Sequence, residues 1–202
     1  MYKNIKEKAK IIFKKNNGYV KTSFLLNSGI DKNTIKNLVE SNSIIRIKRG
    51  IYKWAEYQEE SYEEMIEVSK SIPKGVFCLF TALSYYDLTT YIPYEFDIAI
   101  CRGTRKPIIP DYPPVKVHYF SDKNYNLGIK HLNINNHEIK IYDMEKTICD
   151  AVRFRNTIGF DLVKESLKEY IKRNDRNIGK IIEYSKITNV ITIIKPLLEV
   201  LT

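Results

Sequence analysis

Four groups of side chains in this 202-residue chain have types and spacings that could support chemistry. Asp97, with the later run Glu138-Ile139-Lys140, loosely fits a D…ExK arrangement. In such a site two carboxylates hold Mg²⁺ and the lysine polarises the attacking water. Glu138 and Lys140, two apart in an extended strand, would share a face as that chemistry requires. The same residue types recur in Glu169-Tyr170-Ile171-Lys172 at a different spacing, as expected by chance in a chain rich in Glu and Lys. The second group, His118, His131 and His137, is spread over neighbouring expected strands and loops and reads as ordinary surface histidines. The third, Cys78, Cys101 and Cys149, contains no CxxC pair and no His at metal-ligand spacing, so these read as reduced thiols filling core volume. After residue 57 there is no Gly-rich phosphate loop, HExxH or GxSxG. The sequence therefore assigns no catalytic residue, metal site or cofactor, and the chain reads as a non-enzyme.

The fourth group lies near the N-terminus and consists of Lys21, Thr22, Ser23, Lys32, Asn33, Lys36, Asn37, Arg46, Lys48 and Arg49. Its chemistry is that of reading duplex DNA. Asn pairs bidentately with adenine, Lys donates to guanine or phosphate, and Arg reaches the backbone or the minor groove. Lys21, Thr22 and Ser23 at a helix start could hold a phosphate with backbone N–H groups.

These side chains need elements to present them. Ile5, Ala9, Ile12 and Phe13 fall at i, i+4, i+7 and i+8, the apolar stripe of a helix over Tyr2 to Lys15. Thr22 is placed to cap a short helix carrying Phe24, Leu25 and Leu26, which ends at Ser28-Gly29. Asp31 is placed to cap a third, with Ile35, Leu38 and Val39 inward and Lys32, Asn33, Lys36 and Asn37 outward. Ile44 to Ile47 alternates as a strand, Lys48-Arg49-Gly50 turns, and Ile51 to Trp54 returns, with Tyr52 and Trp54 packing the hairpin onto the helices. Three helices and a basic-tipped hairpin make a winged helix-turn-helix.

The charge distribution agrees. Through Tyr57 there are 13 Lys+Arg against 4 Asp+Glu, a net of +9, and the whole chain, with 33 against 24, is also +9. Everything after Tyr57 is therefore neutral, with 20 of each sign. A general bias toward lysine would spread the excess. Confinement to one segment is the footprint of polyphosphate binding. The N-terminus interleaves lysine with apolar residues, unlike a signal peptide, and VITIIKPLLEVLT is broken by Lys195-Pro196 and too short to span a bilayer. A cytoplasmic protein without a membrane partner is expected.

The expected domains are 1–57, the winged helix-turn-helix, and 58–202, an α+β domain with a helical tail. In the latter, Ser61-Tyr62-Glu63-Glu64 reads as a capping box just after the linker. Thr81 is placed to cap a helix through Tyr86. Phe96–Ile100, Val115–Phe120 and Ile139–Tyr142 read as strands. Asp143 caps a helix with Ile148, Ala151 and Val152 inward, and two or three helices follow Gly159.

The order of these features resembles the AbiEi antitoxins of type IV toxin–antitoxin systems, which are also regulators of antiviral defence. The resemblance is carried by Leu38-Val39-Glu40, Ile45-Arg46 and Arg49-Gly50-Ile51-Tyr52 in the winged helix. In the second domain it is carried by Leu79-Phe80-Thr81-Ala82-Leu83-Ser84, the stretch Pro93 to Ile100, and Glu145-Lys146-Thr147-Ile148-Cys149-Asp150. It implies a repressor acting at inverted repeats in its own promoter. It also implies an antitoxin, through the second domain, against a nucleotidyltransferase-type toxin encoded beside it, without a stable complex between them. Two other readings stay open on the residues alone: a Mg²⁺-dependent nuclease targeted by the winged helix, and a plain ligand-responsive transcription factor.

Overall fold

The computed structural model describes residues 2–57 and 62–201, with side chains from Ile5 onward. It is α+β and divides into two compact units. The first comprises Met1–Pro73 together with Pro107–Pro113 and Asn133–Glu138; the second comprises Lys74–Lys106, Pro114–Leu132 and Ile139–Thr202. The expected division at 57/58 rested on the end of the winged helix, a linker before the next helix, and the confinement of charge. Ser61, expected in a capping box, lies outside the described residues.

The first unit runs α1 (Tyr2–Lys15), β1 (Tyr19–Lys21), α2 (Thr22–Asn27), α3 (Lys32–Glu40), β2 (Ile44–Lys48), β3 (Ile51–Trp54) and α4 (Glu63–Ser71). Its sheet is antiparallel in the order β1-β3-β2. The core gathers Ala9 and Phe13 of α1, Leu25 of α2, Ile35 and Leu38 of α3, and Ile44 and Trp54 of the hairpin. Phe13 and Trp54 stack with ring centroids 5.6 Å apart. Tyr52 packs against this core, as expected of the hairpin aromatics.

Three local expectations change. Tyr19–Lys21 is a strand, pairing with Ile51–Lys53, which sequence periodicity could not register in three residues. In α2 only Leu25 is buried, and Phe24 and Leu26 face solvent, because six residues allow the helix little more than one inward position. The alternation in β2 is interrupted between Arg46 and Lys48, where the register shifts. That bulge turns both Ile44 and Ile47 inward and leaves Ile45 and Arg46 exposed.

In the second unit, β4 (Val76–Phe77), α5 (Leu79–Tyr85), β5 (Phe96–Cys101), β6 (Val115–Phe120) and α6 (Asp122–Tyr125) come first. They are followed by β7 (Ile129–Ile134) and β8 (His137–Tyr142), whose joining end Asn133–Glu138 is counted with the first unit, and by α7 (Met144–Arg153), α8 (Arg155–Ile158), α9 (Phe160–Ile171), α10 (Ile178–Ile187) and α11 (Ile191–Leu201). The sheet order is β6-β5-β4-β8-β7, with β5–β6 and β4–β8 parallel and β4–β5 antiparallel. β7 was not expected from its mixed pattern. It joins β8 through Asn135 and Asn136 at φ 50° and 62°, the left-handed pair of a tight hairpin turn that Asn tolerates. Thr81 does not cap α5: the helix begins two residues earlier, and the Thr81 hydroxyl accepts from the Asp97 N–H at 2.8 Å.

Asp143 caps α7 as expected, accepting from the Lys146 N–H at 2.8 Å. Every residue of α7 from Glu145 to Val152 is buried, with α5, α9 and α10 packed around it. Lys195-Pro196 does not break the last helix. α11 runs through Pro196, held by the burial of Ile194 and Leu198 on its inner face.

Candidate nucleic-acid interface

The third helix presents the expected surface. Asp31 sits in extended backbone at its N-terminus, and its carboxylate accepts from the Thr34 N–H and the Thr34 hydroxyl, both at 2.9 Å. These two bonds hold the Asp31 carboxyl below its ordinary pKa. Thr34, Ile35 and Leu38 face inward, so the helical period sends Lys32, Asn33, Lys36 and Asn37 outward, and all four are exposed. Lys36 lies 3.7 Å from Glu40 on the same exposed face, a solvent-screened pairing that leaves the ammonium accessible.

The wing is a tight turn closed by Gly50 at φ +87°, a left-handed conformation that glycine adopts without strain. The Thr22 N–H donates to the Gly50 carbonyl at 2.9 Å, which fixes the wing against the start of α2. That bond takes one of the N–H groups expected to cradle a phosphate. Thr22 does not cap α2 as expected: it is the first helical residue, preceded by Lys21 in extended backbone without a side-chain cap, and Lys21 and Ser23 are exposed.

The three basic residues of the wing are not equivalent. Arg46 and Arg49 are exposed. Lys48 is half-buried and its ammonium donates to the Ser71 carbonyl at the end of α4. Burial first, and the nearby charge of Lys21 second, push the Lys48 pKa down. A fourth basic residue, Lys53, is only 5% exposed and escaped the sequence reading. Its ammonium pairs with Glu63, lies 3.7 Å from Glu67, and sits 5.9 Å from the centre of the Tyr19 ring. In a regular strand Tyr52 and Trp54 share one face and Lys53 takes the other, so alternation alone places Lys53 away from the core and gives no signal of its burial.

The candidate nuclease residues are placed otherwise than the motif requires. Asp97 is 2% exposed, and its Oδ1 lies 2.6 Å from Nε2 of His118. β4 separates β5, the strand of Asp97, from β8, the strand of Glu138 and Lys140. Among the described residues no three His, Cys, Asp or Glu side chains are grouped to hold a metal. The histidines depart from the surface reading: His131 is exposed, but His118 is packed beside Phe154 and His137 is 1% exposed with its ring edge-on to Tyr19.

Cys78 and Cys149 fill core volume as expected, and burial pushes the Cys149 thiol up to about 12. Cys101 instead lies half-buried at the end of β5. Lys146 and Asp150 pair with each other at 0% exposure, with the Lys146 ammonium 4.3 Å from the Tyr142 ring centre and 4.8 Å from that of Phe120. The Glu145-to-Asp150 segment is thus interior to the second unit.

Residues 7–52 match the family model described as "Transcriptional regulator, AbiEi antitoxin". The match begins inside α1 and ends inside β3, so it covers α2, α3 and the wing. This segment is similar to AbiEi-type transcriptional regulators, and its three helices and hairpin have the order of a winged helix. No curated protein matches the chain. Among the described residues no helix is long and apolar enough to cross a membrane.

Proposed function

We propose that this chain, with its AbiEi-type regulator segment, is a sequence-specific repressor of its own operon and an antitoxin. It binds double-stranded DNA at inverted repeats in its own promoter. The single observation that carries the DNA-binding half is the outward face of α3: Lys32, Asn33, Lys36 and Asn37 exposed opposite a buried Thr34, Ile35 and Leu38. α3 enters the major groove, where Asn33 and Asn37 read adenine edges and Lys32 and Lys36 reach guanine or phosphate. Arg46 and Arg49 of the wing neutralise the flanking backbone, and Lys21, Thr22 and Ser23 approach a phosphate from the start of α2, against which the wing is fixed.

The antitoxin half counters a nucleotidyltransferase-type toxin encoded beside this gene, without a stable complex, and is carried by the second unit. The family description over residues 7–52 supports it. Two experiments test the proposal. A gel shift of the chain on its own upstream DNA should show a complex that random DNA of equal length competes poorly. Cells expressing the adjacent toxin should be rescued by the full chain and not by a chain lacking the second unit. Repression without rescue would leave a plain transcription factor, and Mg²⁺-dependent cutting of the bound duplex would replace the proposal with a nuclease.

A further inference from the structure

The wing does not stand alone in the first unit. The segment Pro107–Pro113, from the long connection between β5 and β6, packs in the same unit. Ile108, Ile109, Pro110 and Asp111 line a groove of about 320 Å³ with Arg46, Lys48 and Arg49. Pro110 is buried and the Tyr112 hydroxyl donates to Glu64 of α4, so the segment is anchored at both points. Just ahead of these anchors Ile108 is 63% exposed and Ile109 38%. Two isoleucines held in solvent beside two exposed arginines are not explained by packing, because the first unit's core is complete without them.

We propose that Pro107–Pro113 is a second DNA-contacting element, which lays Ile108 and Ile109 against the minor groove beside the wing. The inference rests on the DNA-binding reading above. Apolar wedges flanked by Arg are a recurrent minor-groove chemistry: the arginines meet the negative potential of the groove and the apolar side chains press between base steps. Charge complementarity selects duplex DNA as the occupant, since Arg46 and Arg49 flank the isoleucines and Arg105 and Lys106, both exposed, directly precede Pro107 in the chain. Prolines at 107, 110 and 113 restrict the backbone, so little order remains to be imposed on binding. Asp111 also lines the groove, and its carboxylate repels phosphate, which confines the contact to the isoleucines and arginines.

The test uses the full chain and two probes, a duplex from its own upstream region and a random duplex of equal length, with affinity measured across a salt series. Ile108→Ser combined with Ile109→Ser should weaken binding to the upstream duplex about tenfold, the loss expected when an apolar wedge no longer meets the base steps. Arg105→Ala combined with Lys106→Ala should make the salt slope shallower by about 0.9 for each phosphate contact removed. Asp111→Asn should tighten binding to both duplexes by relieving repulsion. These side chains are exposed, and an unchanged unfolding midpoint confirms intact folding. Affinity of the Ile108→Ser/Ile109→Ser chain within about twofold of wild type overturns the inference, while the upstream duplex still binding wild type leaves the DNA-binding reading intact. Tighter binding by that variant also overturns it, because the segment would then be masking the wing. A wild-type chain that binds neither duplex removes both readings.

Discussion

Lys48, Arg46 and Arg49 occupy one wing, but their surroundings give them different work. Lys48 spends its ammonium on the Ser71 carbonyl and is partly desolvated, whereas both arginines stand in solvent. Arg49→Ala should therefore weaken binding to every duplex and make the salt slope shallower by about 0.9 per lost phosphate contact. Lys48→Ala should change that slope less and instead lower the thermal midpoint, because it removes a bond between the wing and α4. Asn33→Ala should act differently again, relaxing preference at one base pair at a cost of about 1–3 kcal/mol. Asp31 adds a pH signature. Its bonds to Thr34 place the folded pKa below the unfolded one, so the cap stabilises α3 fully above about pH 4 and is lost as pH falls through the folded value. The Thr34 amide resonance followed through an acid titration should move with a midpoint below that of an unperturbed aspartate; a midpoint at or above it contradicts the cap. At this scale the exposed face of α3 was legible because period and polarity agree at Lys32, Asn33, Lys36 and Asn37. The withdrawal of Lys48 and the burial of Lys53 were not, since both depend on α4, which is distant in sequence.

Among the elements, α4 and α7 each hold a buried charge in place. α4 supplies Glu63 and Glu67 to Lys53, and burial raises the Glu67 pKa even with that lysine beside it. Replacing both glutamates by glutamine should lower stability by about 1–3 kcal/mol, because the Lys53 ammonium keeps its burial and loses its charge partners. A fragment ending at Tyr57 should be less stable than one ending at Pro73 for the same reason, as read by thermal unfolding. In α7, Asp150→Asn should cost about 3–5 kcal/mol by leaving Lys146 enclosed without a counter-charge. Lys146→Met combined with Asp150→Leu should recover much of the loss; a double variant as unstable as Asp150→Asn would contradict the pairing. α1, α3, the hairpin and the cap of α7 could be read from periodicity and from Asp at helix starts. β1 is too short to show a period, the β2 bulge breaks one, and the interior position of Lys146 and Asp150 runs against the usual exposure of charged residues.

For the whole molecule, the net charge of +9 lies within the first 57 residues and the remainder is neutral. The compact first unit extends that basic segment with α4 and with Pro107–Pro113 and Asn133–Glu138, contributed from later in the chain. The hairpin tip illustrates why no sequence pattern announces this. Asn17 donates to the Asn136 carbonyl at 3.2 Å, and Tyr19 meets His137 with ring centroids 5.3 Å apart, contacts across more than a hundred residues. Charge singled out the segment that builds most of the first unit, but not which later segments complete it. The central claim is that α3 of this unit reads sequence while the basic residues around it supply affinity. The most direct measurement compares the full chain with its Asn33→Ala/Lys36→Ala variant on the upstream and random duplexes at one fixed salt concentration. The wild type should prefer its upstream duplex by about 10³-fold or more, and the variant should lose most of that preference while still binding random DNA. Equal binding of both duplexes by the wild type, or a preference left intact in the folded variant, would contradict the claim.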